Sequence, residues 1–103
     1  EYLGQSIAAI RRPGYTKAFS LTTHTSHAPV EARLPEVKAP TLVVMGQLDP
    51  DFPDSKAEAD WIAGRLNAQV LMVPDAGHYP QSEQPTLVTP AIVGFLAQAH
   101  HRA

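Results

Sequence analysis

The chain has 103 residues, enough for one small domain or part of a larger one. It is 44% hydrophobic and 17% charged, below the roughly 25% charge typical of soluble domains, and its formal charge is −2. There is no basic stripe to grip nucleic acid and no apolar run near the ~20 residues of a membrane span. No cysteine is present, which excludes disulfides, thiolate metal sites and a cysteine nucleophile, and fits a cytoplasmic protein. The opening Glu1-Tyr2-Leu3-Gly4 has no initiator Met and no basic segment before an apolar stretch. It reads as the start of an excised sequence rather than a signal peptide.

In chain order, Leu3, Ile7 and Ile10 recur at helical spacing, so the pattern predicts a helix over 2–12, stopped by Pro13-Gly14. Tyr15, Ala18, Phe19 and Thr22 share one face of a second, weaker helix over 15–24. Residues 25–35 read as a loop because Thr25, Ser26, Pro29 and Pro35 punctuate them. His24 and His27 are spaced as H-x-x-H, but no third ligand lies nearby, and they are read as solvated loop residues.

The pattern changes after Pro40. Residues 41–45 are a continuous apolar, β-branched run ended by Gly46, as expected for a strand buried on both faces of a parallel sheet. A helix follows over 55–66, with Ser55 and Glu58 in the spacing of a capping box and Ala59, Ile62, Ala63 and Leu66 on one face. Trp61 lies off that stripe, at the helix edge. Residues 69–73 form a second short strand. Strand, helix and strand within about 33 residues make a βαβ unit with parallel strands and a right-handed crossover. The last helix carries Val88, Ala91, Ile92, Phe95 and Leu96 on one face. Pro90 fits it best as the first helical residue, with Thr89 as N-cap and a turn at 86–88.

Ligands bind beyond the carboxyl ends of parallel strands. Two loops lie there: 46–54, which carries Asp49, Asp51 and Asp54, and 74–80, which carries His78. A carboxylate that accepts the Nδ1–H of a histidine fixes the ring's tautomer, so that Nε2 can take a proton. Asp49 is the preferred partner of His78. Asp51 is its rival, because Asp-Pro-Asp leaves the register ambiguous. Asp54 belongs at the helix N-terminus, where its charge suits the dipole. Phe52 and Tyr79 flank the pair and are candidate substrate contacts.

The segment from Pro40 through Met45-Gly46-Gln47-Leu48-Asp49-Pro50 resembles the penultimate-strand motif of the α/β-hydrolase family. Gly77-His78-Tyr79-Pro80, with Glu83-Gln84-Pro85, resembles that family's final histidine motif, and Ala91-Ile92-Val93-Gly94-Phe95-Leu96 its closing helix. The match covers about residues 40–97, in the family order of acid before histidine. The resemblance implies an α/β fold in which 36–103 form the C-terminal βαβα part of the core. Residues 1–35 would be the helical end of a lid or the helices before the penultimate strand. It also implies that Asp49 is the triad acid, His78 the general base and Glu83 a brace for the loop. No cofactor or metal is implied, and the partners would be a small-molecule ester, lactone or amide and the remainder of the hydrolase core. The family's G-x-S-x-G elbow is absent from the chain, as is its oxyanion loop, so the isolated chain is expected to be inactive. Two other readings stand beside this one. The chain could be a non-catalytic interaction module that pairs through its sheet edge, or a part of an Asp-nucleophile epoxide hydrolase or dehalogenase.

Overall fold

A computed structural model describes residues 1–102 and divides them into two compact units, Glu1–Ala32 and the segment from Arg33 onward. Among the described residues the fold is mixed α/β, 58% helical, with two parallel strands.

The first unit holds helices α1 (Tyr2–Ile10), α2 (Tyr15–Thr23) and the single turn α3 (Ala28–Glu31), the last within residues expected to form a loop. Gly14, at φ 82°, supplies the left-handed residue that turns the chain between α1 and α2. Tyr15 and Phe19, one turn apart on α2, stack with ring centroids 6.3 Å apart. None of these helices has a buried residue. The helical stripe of α1 is present, but Leu3 and Ile10 are 71% and 56% exposed.

The second unit begins with a 3-10 turn at Leu34–Glu36. Strand β1 (Leu42–Gly46) then pairs in parallel with β2 (Gln69–Val73), with Leu42 opposite Gln69 and Gly46 opposite Val73. The ladder therefore includes Gly46 rather than ending before it. Parallel strands need a crossover between them, and here it is α4 (Ser55–Leu66). Ala59 and Ala63 of α4 are buried, and Ile62 and Leu66 are partly buried, as the apolar stripe predicts. Trp61 is 40% exposed, and the Arg65 guanidinium lies 5.2 Å from its ring centre, one turn on. Asn67 closes α4 in the left-handed conformation, at φ 51°.

Two details depart from expectation. The N-cap of α4 is Asp54, whose carboxylate accepts the Ala57 N–H at 3.0 Å, and no capping box forms. Ser55 instead turns inward, and its hydroxyl donates to the Gln47 carbonyl at 3.0 Å. Asp54 wins the cap because it is the extended residue immediately before the first helical turn, where a side-chain oxygen reaches the N3 amide. The last helix, α6 (Pro85–Arg102), runs without a break through Pro90. Pro85, not Pro90, occupies its first position. The Leu87 and Val88 N–H groups both bond the Gln84 carbonyl, and Val88 is fully buried. That anchored first turn sets where the helix begins, and Pro90 is carried in its second turn.

The core is small. Val73, Ala76 and Val88 are fully buried, with Val44, Leu71 and Ile92 packed against them. The rest of the apolar run in β1 is only partly covered: Leu42, Val43 and Val44 are intermediate in burial, and only Met45 and Gly46 are buried. The expected double-sided burial is thus incomplete in a sheet of two strands. Leu96, placed on the inner face of α6 by its spacing, is 58% exposed.

Candidate functional site

The carboxyl ends of the two strands lead into the two loops that carry the chemistry. The loop after β1 returns at once to the neighbouring strand. The Gln47 N–H bonds the Val73 carbonyl at 2.9 Å, and the Leu48 N–H bonds the Ala76 carbonyl at 2.8 Å. A tight turn follows, in which the Asp49 N–H bonds the Gly46 carbonyl. The Ser55 bond to Gln47 ties the start of α4 to the same loop.

The contact between the loops is close. A Cβ placed on Gly46 would lie 2.0 Å from the Gly77 carbonyl oxygen and 2.5 Å from that of Ala76, so only glycine permits this approach. Asp75, at φ 52°, provides the left-handed residue that bends the second loop back over the strand end.

These constraints bring Asp49 and His78 together, although 29 positions separate them. His78 Nδ1 lies 3.1 Å from Asp49 Oδ2 and 3.3 Å from Oδ1. The Asp49 side chain is 6% exposed and that of His78 50%. Asp49 Oδ1 also accepts the Asp51 N–H at 3.0 Å. The buried carboxylate is therefore held by a backbone amide and an imidazole, as a buried acceptor requires.

Asp51 is also at the ring. Its Oδ2 lies 3.1 Å from the same His78 Nδ1, on a side chain 61% exposed. Asp49, Asp51 and His78 each present one ligand-type atom, all within 4.8 Å of one another. His24 and His27 are exposed, and His24 Nδ1 lies 2.7 Å from the Ser20 carbonyl of its own helix.

The histidine loop is braced from behind. Tyr79 caps a short helix, α5 (Pro80–Glu83), and the Glu83 carboxylate accepts the Gly77 N–H at 2.9 Å and the Tyr79 N–H at 3.1 Å. Those amides flank His78 on both sides. Glu83 thus fixes the backbone on which the imidazole is mounted.

The two flanking aromatics sit in different surroundings. Phe52 is half-buried and borders an open hollow of about 720 Å³ with Leu48, Pro53 and Met72. Tyr79 is 63% exposed and does not line it. Its ring meets the His78 ring edge-on, with centroids 5.2 Å apart and planes at 88°.

Sequence reasoning misses the backbone approach at Gly46, the inward bond of Ser55 and the simultaneous presence of both carboxylates at Nδ1. For Gly46 a signal exists: a glycine at the end of an apolar strand marks close approach of another backbone. Among the described residues, no helix is long and apolar enough to cross a membrane. In comparisons with known proteins, no family model, curated protein or solved structure matches this chain.

Proposed function

We propose that residues 36–103 are the C-terminal part of an α/β-hydrolase core, contributing the acid and histidine of a catalytic triad to hydrolysis of an ester, lactone, amide or similar small substrate. The observation that carries this reading is the hydrogen bond between buried Asp49 and half-exposed His78, made just beyond the carboxyl ends of two neighbouring parallel strands. In this mechanism Asp49 accepts the Nδ1 proton, which leaves Nε2 to take a proton from the nucleophile and return it to the leaving group. The Asp49 carboxylate then stabilises the imidazolium that forms. General acid–base transfer of this kind is worth roughly 10²–10⁴ in rate. The nucleophile and oxyanion donors belong to sequence outside these 103 residues, which hold no G-x-S-x-G elbow.

The test has two arms. The coding sequence upstream is expected to encode a strand followed by a nucleophile elbow. In the protein that includes it, His78→Ala should abolish hydrolysis of a short-chain activated ester, and an upstream region with no such elbow overturns the proposal. The 103-residue chain alone should show no turnover. Turnover lost on His78→Ala would instead mean that the nucleophile is already present.

A second reading, an interaction module that pairs through its sheet edge, is favoured by one observation. Both outer edges of the two-stranded sheet are unpaired among the described residues, and the apolar run of β1 is incompletely covered. Sedimentation separates the two readings: concentration-dependent self-association supports pairing, and a monodisperse monomer argues against it.

A further inference from the structure

We infer that Asp51 is a second positioning acid for His78: Asp49 takes the Nδ1 hydrogen bond, and the Asp51 charge beside it favours the proton on that same nitrogen. The two carboxylates thereby hold one tautomer jointly. An imidazole nitrogen carries at most one proton, and three carboxylate oxygens lie within 3.3 Å of this one: both of Asp49 as hydrogen-bond partners, and Oδ2 of Asp51 as a charge contact. No other donor is needed to explain the convergence. Asp51 is brought there by its own backbone, since its N–H is tied to Asp49 Oδ1. Pro50 between them narrows the backbone freedom of the turn, fixing its own φ and restricting that of Asp49.

The environments of the two acids differ, and so do their tasks. Asp49 is buried, so its charge is compensated by fixed partners and its position is rigid. Asp51 is mostly in water and approaches Nδ1 from the open side. The exposed acid adds a weaker, screened attraction for the proton. It is also a charge that remains when Asp49 is lost. In water a free histidine favours the opposite tautomer, with the proton on Nε2, which would block proton uptake at that atom. Loss of a triad acid costs about 10⁴ in rate in enzymes where nothing replaces it, because the tautomer is then wrong. Here Asp51 replaces it in part.

The catalytic consequence rests on the hydrolase reading, but the tautomer does not, and its test reads the ring directly. The 15N shifts of the neutral His78 ring in the labelled 103-residue chain report which nitrogen carries the proton. The wild type is expected to hold the Nδ1–H form. Asp51→Ala, at an exposed position, should lower the ratio of Nδ1–H to Nε2–H several-fold. Asp49→Asn should retain a substantial Nδ1–H population. The double variant should lose a further several-fold relative to Asp49→Asn alone, the scale of an exposed, screened charge pair. A ratio unchanged by Asp51→Ala overturns the inference, even if Asp49→Asn fails to fold. One equivalent of Zn²⁺ should leave the spectrum as it is. Metal-type displacement of the Nδ1 signal would instead make the three groups a metal centre, and overturns the inference.

Discussion

Gly46 and Gly77 meet backbone to backbone: a Cβ on Gly46 would fall 2.0 Å from the Gly77 carbonyl oxygen. The first residue ends β1, and the second precedes the histidine. Gly46→Ala cannot be absorbed by a flexible side chain, because the obstacle is main chain. We expect it to cost about 3 kcal/mol, at the upper end for overpacking, and to part His78 from Asp49. Chemical denaturation measures the first effect and the His78 15N shifts the second. Gly77→Ala is the control. A Cβ there meets nothing closer than 3.5 Å, so stability should change little.

Glu83 predicts a local effect rather than a global one. It accepts two amides, Gly77 N–H and Tyr79 N–H, from an exposed position. Bonds to a charged acceptor are worth about 1.5–3 kcal/mol when shielded and less in water. Glu83→Ala should speed hydrogen exchange at those two amides by about tenfold while leaving β1 and β2 protected. Glu83→Gln keeps an acceptor oxygen and should show a smaller increase. Equal exchange in all three proteins would remove Glu83 from the support of the loop.

The cap of α4 separates two adjacent residues. Asp54→Ala should destabilise by about 1 kcal/mol, the usual value for a lost N-cap. Asp54→Ser should recover most of it. Ser55→Ala removes a different bond, from a residue 9% exposed to the Gln47 carbonyl, and should cost about 1 kcal/mol without rescue by any capping residue at 54. Denaturant midpoints for the three variants decide this.

Pro90 offers a gain. It interrupts the bonding of α6 one turn after the start and is exposed, so nothing requires its ring. Proline inside a helix is about 3 kcal/mol worse than alanine, partly offset because it restricts the unfolded chain. Pro90→Ala should therefore raise stability by about 1–2 kcal/mol, read as an upward shift of the thermal midpoint.

The strands and the crossover helix were legible because their signals are contiguous: two β-branched apolar runs and an i, i+3, i+4 stripe, each within a dozen residues. The placement of Asp49 beside His78 followed from the rule about strand ends, and the distances bear it out. What stayed hidden depends on groups that meet through space. Asp54 takes the cap by its place before the first turn, and the Ser55 hydroxyl goes to the Gln47 carbonyl eight positions away, a partner that no local motif announces. The start of α6 was settled by burial of Val88, which outweighs the proline five residues after the first turn opens. The apolar face of α1 was readable as a stripe, but a stripe does not say how much of it is covered.

The register of β1 against β2 has a practical use. Gly46 stands opposite Val73, Asp49 lies three residues beyond the first, and His78 five beyond the second. A slip of one residue would translate the loops by about 3.3 Å and invert the faces of the moving strand. No 3.1 Å bond survives such a shift. The protonation site of a single imidazole is therefore a gauge of strand alignment, visible in solution and readable before any substrate is known.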